Sequence, residues 1–373
     1  MSDQPTDIVI VGAGAAGIGM GVLLQKMGLN FVILEKDCVG SSYLKWPEEM
    51  RFITPSFSGN AFGSPDLNAI SPDTSPAHAL DTEHPTGKEY VVYLERLVDH
   101  YQLPIVKNTH IKEIQRKDDQ FVLITQRGKV SVACLIWAAG EFQYPKKNSF
   151  PGSAEYGRHT SDVKSWADIE GDNFCIVGGY ESGMDAAVQL ARLGKRSHVL
   201  EAGDPFNDER SDSSYSLSPY TKDRYEQYRD FISLAPNTSI EKITHDGDLY
   251  VIHPEEGDPI CSSTEPLLAT GFQGSLSLIQ DLFEWENNVA VLTEDDESTL
   301  CPNLFLVGPQ VCHSKAFFCF IYKFRQRFAI VAESIVKRQG LDQKERVAHY
   351  IEDYKKNNFY LKDLSCCEDE CAC

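Results

Sequence analysis

Positive charge is what this chain has little of: 35 Lys and Arg stand against 55 Asp and Glu in 373 residues, a formal net charge of −20 at pH 7. A surface of that sign repels phosphate backbones and anionic headgroups, which excludes nucleic acid and acidic membrane as partners. Long apolar runs are missing too. The one stretch that comes near, residues 8–24, is broken by five glycines and preceded by acids rather than lysines. A signal peptide wants a cationic start and a bilayer helix a longer run, so the expectation is a buried strand followed by a helix, in a cytoplasmic protein. Apart from the repeated unit described below, no internal repeat or low-complexity tract appears.

The length suits two domains better than one, and either could bury a sound core. Cysteine is abundant: eleven residues, an odd number. Seven are scattered, at Cys38, Cys134, Cys175, Cys261, Cys301, Cys312 and Cys319. Four crowd the last eight positions, at Cys366, Cys367, Cys371 and Cys373. A structural disulfide framework does not fit a chain of this size without secretion.

Periodicity predicts a buried strand over 7–11, a helix over 15–27 and a second buried strand over 30–35. Residues 36–85 are rich in Ser, Pro, Gly and Asn and read as ordered loop. Thr86 with Glu89 forms a capping box that opens an amphipathic helix to about residue 102. Three strand-like pieces (111–116, 121–125, 129–133) read as an antiparallel meander, and 135–139 as another buried strand. The pattern then restarts, with a strand over 173–177, a helix over 182–193, a strand over 197–201 and a last buried strand reaching residue 271. Beyond it come a strand over 303–307, a long helix over 316–338, a shorter helix over 343–356 and an acidic tail.

The motif with most chemical content is Gly12-Ala13-Gly14-Ala15-Ala16-Gly17 between strand and helix, with Glu35 and Lys36 ending the next strand. The first glycine permits the tight turn, the second lets backbone approach a pyrophosphate, and the third lets helix and strand pack closely. The pyrophosphate sits on the helix N-terminus, and Glu35 accepts from ribose hydroxyls. A second unit reads Gly178-Gly179-Tyr180-Glu181-Ser182-Gly183, with Glu201 closing the following strand. Tyr180 stands where the middle glycine belongs, so this site is either rearranged or degenerate. Glu201 favours NADH over NADPH, unless Arg210 folds back to soften that preference. Two dinucleotide sites in one chain imply a resident FAD and a visiting NADH or NADPH that delivers hydride.

The order of these elements resembles the two-dinucleotide-binding-domain flavoproteins, which include low-molecular-weight thioredoxin reductases, bacillithiol-disulfide reductases and flavin-containing monooxygenases. The resemblance spans about residues 7–335. It rests on both glycine units, Gly40-Ser41-Ser42-Tyr43, Trp137-Ala138-Ala139-Gly140, Ala269-Thr270-Gly271 and residues 303–309. The segment from Trp46 to Phe52 and the later aromatic helix look nearest to the bacillithiol-disulfide reductases. The resemblance implies an α/β fold of two Rossmann-like, three-layer ββα domains, with the NAD(P) domain inserted into the FAD domain. Its expected limits are 1–145 and 274–345 for the FAD domain and 146–273 for the NAD(P) domain, with 346–373 as C-terminal helix and tail. It also implies cofactor contacts at Gly40, Ser42, Tyr43, Trp46, Ala139, Gly140, Gly271, Gly308 and Pro309.

The chain departs from each member's signature. It has no Cys-x-x-Cys pair, it carries Gly308-Pro309 where a Gly-Asp pair binds the flavin's ribityl chain, and it lacks the monooxygenases' fingerprint spacing. Cys312 and Cys319, seven apart, would share a face if both were helical; either approaches the flavin, or both are small core residues. The tail cysteines read as a redox arm, as soft ligands for a thiophilic metal, or as an end without function. The resulting expectation is a flavoprotein passing electrons from NAD(P)H to a small thiol or disulfide substrate or a redox partner protein, with a homodimer open. The alternatives are an FAD monooxygenase and a flavin-bearing thiol- or metal-binding protein without turnover.

Overall fold

The computed structural model describes residues 7–57, 65–117, 119–210 and 212–365. Its first strand, Ile8–Val11, is buried along its whole length, as an unbroken apolar run covered on both faces should be. It pairs in parallel with Phe31–Leu34 on one side and Cys134–Trp137 on the other. Ile105–Val106 extends the sheet beyond Phe31–Leu34, and Leu304–Leu306 forms the opposite edge, also parallel. The chain therefore leaves this sheet after Trp137 and rejoins it only at Leu304.

Between those points lies a second parallel sheet, ordered Ile232–Ala235, Arg196–Leu200, Asn173–Val177, Leu267–Leu268, Arg158–His159. One Rossmann-like unit is thus inserted into another. Both have three layers. In the second unit the helix Glu181–Arg192 covers one face through Met184 and Leu190. A three-stranded antiparallel sheet covers the other, setting Ile243 and Ile252 against Val177 and Leu200. In the first unit the helix Ala15–Met27 and the meander Ile111–Lys117, Gln120–Thr125, Gly128–Val132 play the same parts, with Phe121 and Leu123 in the core.

The punctuation works as the residue types demand. Gly28, at φ 74°, ends the first helix by returning its N–H to the carbonyls of Leu24 and Gln25, a left-handed cap that glycine adopts without cost. Thr86 and Glu89 form the reciprocal capping box that starts the helix Gly87–Tyr101. The loop region 36–85 carries only two short helices among its described residues, Ser41–Leu44 and Pro76–Leu80.

One element differs from expectation. The helix expected from residue 316 does not start there. Cys312–His313 pairs antiparallel with Ala316–Phe317 in a tight hairpin turning at Ser314, whose φ is 52°. Helical backbone begins at Ile321–Phe324, tightens to a 3₁₀ turn over Arg325–Arg327 and runs on as Phe328–Arg338. Tertiary partners hold the hairpin: His313 Nε2 lies 2.5 Å from buried Asp296, and Tyr215 Oη donates to the Lys315 carbonyl at 2.7 Å. Cys312 and Cys319 therefore do not share a helix face.

Candidate active site

The glycine unit at the end of Ile8–Val11 builds one wall of a long cleft. A Cβ on Gly12 would lie 2.5 Å from the Ala138 carbonyl oxygen, and one on Gly17 would lie 1.9 Å from the Gly12 carbonyl oxygen. Those two glycines are required by packing, at the turn and between helix and strand. Gly14 is different. Its backbone (φ −86°, ψ −171°) suits any residue, yet a Cβ there would meet nothing within 4 Å. The space in front of it is open, as a pyrophosphate on the N-terminus of the helix Ala15–Met27 requires. Glu35 is buried; its carboxylate accepts from Ala13 N and Asp37 N, both at 2.7 Å. That pins an acceptor beside the glycine loop, in the place a ribose would meet it.

The cleft has a volume of about 370 Å³, within the roughly 300–1,000 Å³ of a ligand pocket, and it opens to solvent at its mouth. Of the residues singled out from sequence, Gly12, Gly14, Ala15, Ala16, Glu35, Ser42, Tyr43, Trp46, Ala139, Gly140 and Pro309 line it. Gly17, Gly40 and Gly308 shape its walls without lining it; Gly40, at φ 64°, opens the short helix carrying Ser42 and Tyr43. Lys36 sits outside, in a small pocket behind Glu35. Sequence reasoning missed Glu141, Phe142, Gln143, Phe272 and Asp185, all of which line the cleft. Gln143 donates to both Ser41 Oγ and Ser42 Oγ at 3.1 Å. These residues lie in loops or across the domain boundary, where periodicity says nothing about them.

The second unit repeats the frame with other contents. A Cβ on Gly178 would lie 2.3 Å from the Ala269 carbonyl oxygen, and one on Gly183 1.9 Å from the Gly178 carbonyl oxygen. Tyr180 caps the helix Glu181–Arg192 with φ −79° and ψ −167°, the backbone of Gly14 over again. Its ring is 42% exposed, and its hydroxyl donates to the Tyr215 carbonyl at 3.3 Å. Glu201 is buried and accepts from Gly179 N at 2.5 Å and Gly203 N at 3.0 Å, as Glu35 does in its own unit. Arg210 does not fold back on Glu201; it pairs with Asp208 at 2.5 Å and lies over the Tyr215 ring. The turn glycine, the packing glycine and the acidic strand end thus fit an adenine ribose, while the ring of Tyr180 changes the path open to a pyrophosphate.

Glu181 and Ser182 face away from that second loop and into the first cleft, with Asp185 one turn on. Glu181 accepts from Ser218 N and Thr221 Oγ1, both at 2.5 Å. Burial still pushes its carboxyl above the usual carboxylate range. Gly178, Gly179, Tyr180, Glu201 and Gly271 do not line the cleft; the Gly271 carbonyl lies 3.1 Å from His159 Nε2. A strap from the second unit, residues 212–216, reaches across to the first: Lys323 Nζ is held by Asp212 at 2.6 and 2.7 Å, both groups nearly inaccessible.

Among the scattered thiols, Cys319 lines the cleft and Cys312 is buried behind it. Cys319 Sγ lies 3.1 Å from Ser214 Oγ on the strap, and burial raises both thiols. Glu141 is pushed up to about 6 by burial, against the pull of Lys146. The tail cysteines Cys366, Cys367, Cys371 and Cys373 lie outside the described residues. Among those residues no group of three or more His, Cys, Asp or Glu is placed to hold a metal ion, and no helix is long and apolar enough to cross a membrane.

Three comparisons bear on this geometry. The sequence profile of the pyridine nucleotide-disulphide oxidoreductase family matches residues 9–308. The uncharacterized oxidoreductase CzcO of Bacillus velezensis is 28% identical over 190 residues, 50% of this chain and 52% of that protein. The chain thus spans about half the length of that relative. Among solved structures, bacillithiol disulfide reductase Bdr (YpdA) from Staphylococcus aureus superposes with a TM-score of 0.71 at 18% identity, covering 90% of this chain and 99% of that one. A flavin-containing monooxygenase from Stenotrophomonas maltophilia gives 0.63 at 16% identity, with coverage of 93% and 99%.

Proposed function

The chain belongs to the pyridine nucleotide-disulphide oxidoreductase family, and from that premise we propose that it carries electrons from NADH or NADPH, through FAD, to a small disulfide or thiol-type acceptor. The observation that carries the reading is the shared cleft: the glycine loop of the first unit and the helix start of the second, with Glu181 and Ser182, open into the same space. When bound, FAD supplies the two-electron chemistry, accepting a hydride and passing an electron pair onward. The chain's own residues hold and orient it. Gly12, Gly14 and Gly17 admit and back the pyrophosphate, Glu35 takes the adenosine ribose, and Ser42, Tyr43, Trp46, Ala139, Gly140 and Pro309 line the remaining wall, with Lys36, Gly40 and Gly308 behind it.

The second unit, through Gly178, Gly179, Tyr180, Gly183 and Glu201, receives the nicotinamide nucleotide. Glu201 presents a carboxylate to the ribose, and Arg210 is turned to Asp208 rather than to Glu201, which supports NADH over NADPH. The limits at residues 145, 273 and 345 and a cytoplasmic setting belong to the same proposal. The setting is supported by the seven described cysteines, all of which are free.

Steady-state turnover tests the reading. NAD(P)H oxidation should depend on an added small disulfide and yield two thiols per nucleotide. Oxygen uptake dependent on an organic substrate, with no thiol released, would instead make the protein a monooxygenase. No turnover at all, with tight metal binding, would leave a binding protein.

A further inference from the structure

The hairpin found in place of the expected helix sets two thiols in register. Cys312 stands opposite Phe317 and His313 opposite Ala316, and Phe318 N donates to the Val311 carbonyl at 3.1 Å, continuing the ladder one residue further. Side chains alternate along a strand, so Phe317 and Cys319 project on the same side as Cys312. Cys312 and Cys319 are therefore diagonal cross-strand neighbours on one face. Such neighbours stand about 7–8 Å apart at Cα, at the limit of roughly 7 Å for a disulfide. Closing the bond needs a backbone movement on the order of 1 Å, within a hairpin whose turn holds only Ser314 and Lys315.

The pair is layered toward the cleft. Cys319 opens into it and Cys312, 8% exposed, lies behind. Glu141 lines the same cleft, and among the described residues its carboxylate has no hydrogen-bond or ion-pair partner. Lys146 on its own loop draws it toward the ionised form, and Glu35, Tyr43, Arg51, Glu181, Asp185 and Cys319 are the titratable or charged groups that share the cleft with it.

We infer that Cys319 and Cys312 form a redox-active dithiol that reduces small disulfides in the cleft, with Glu141 as the proton carrier. The inference rests on the proposed reductase reading and assigns it an exit for the electrons. Cys319 Sγ, its proton taken by Glu141, attacks one sulfur of the substrate disulfide. That S–S bond breaks, a first product thiol leaves with a proton, and a mixed disulfide remains. Cys312 Sγ then attacks Cys319 Sγ, the second product thiol leaves with the Cys312 proton, and a Cys312–Cys319 disulfide closes. Two electrons originating in NAD(P)H, with two protons, restore the dithiol. Only Cys319 meets the substrate; Cys312, recessed, needs to reach no further than Cys319 Sγ.

The test uses the full chain with Cys366, Cys367, Cys371 and Cys373 changed to Ser, so that tail thiols cannot contribute. The protein is oxidised with hydroxyethyl disulfide, desalted and titrated anaerobically with dithionite. Uptake of two equivalents per flavin is expected, falling twofold to one on adding Cys319→Ser, while Cys312→Ser retains a hydroxyethyl mixed disulfide on Cys319 that mass spectrometry reads, and Cys261→Ser on the remote antiparallel sheet keeps two. Because trypsin cleaves after Lys315, the two cysteines part into separate peptides unless a disulfide joins them, so peptide mapping reads the bond even where a serine variant fails to fold. Glu141→Gln should remove the rise in disulfide-reduction rate through about pH 6 without changing electron uptake. One equivalent in the tail-serine protein, with no joined peptide, would overturn the inference. Dithionite needs no nucleotide site, so failure of NAD(P)H to reduce the flavin would be seen separately.

Discussion

The two glycine units of this chain share a backbone and differ in what fills it. In both, the first and third glycines are required by contacts of 2.5 Å or less that a Cβ would make with backbone carbonyls. In both, a buried glutamate 22 residues downstream accepts an N–H from the loop. The residue at the helix cap has nearly the same φ and ψ in each, although one is Gly14 and the other Tyr180. In front of Gly14 there is open space. At the second loop the Tyr180 side chain stands at that position and Phe206 crowds Gly179. The outer glycines thus make the fold, and the middle position decides what may approach it. On the proposed reading, one loop holds a resident cofactor and the other admits a visiting one past an aromatic side chain.

The largest expected effects come from the shared part of the frame. Gly17→Ala and Gly183→Ala each force a methyl to 1.9 Å from a carbonyl oxygen, and overpacking costs about 1–3 kcal/mol, here toward the upper end because the clash is with backbone. Thermal unfolding should show comparable losses for the two. Flavin content should fall sharply only for Gly17→Ala, and flavin loss of the same size with Gly183→Ala would mean that the two units do not divide the cofactors as argued.

Exchanging the middle residues should have a smaller and opposite effect on ligands. Gly14→Tyr closes open space and should weaken flavin binding about tenfold, equivalent to about 1.4 kcal/mol. Tyr180→Gly should lower the KM for the nicotinamide nucleotide by several-fold, with little change in kcat or melting temperature. A Tyr180→Gly variant that gained nothing would show that the ring lies off the nucleotide's path.

Much of the frame is legible in the sequence, because parallel strands covered on both faces must be apolar throughout and the glycine spacings follow from close packing. The helix Ala15–Met27, the capping box at Thr86 and Glu89 and the strand Asn173–Val177 fall where residue pattern alone sets them. The segment around Cys312 is not legible. It has no Gly or Pro to mark a turn, and its Ala, Phe and Lys read as helix; distant partners, Asp296 for His313 and Tyr215 for Lys315, make it a hairpin instead. Glu141 is hidden for a related reason. It follows Gly140 in a loop with no periodicity, and only the docking of the inserted unit brings Glu181 and Asp185 to the same cleft. Local pattern recovers elements; it does not recover which loops meet.

The central claim is that the second unit delivers hydride to a flavin held by the first, despite Tyr180. Anaerobic titration of the flavin-loaded protein with NADH and, separately, with NADPH tests it most directly, followed by flavin absorbance. The account predicts bleaching by both, with NADH effective at the lower concentration because Glu201 meets the ribose. A flavin that dithionite bleaches and neither nucleotide does would contradict it.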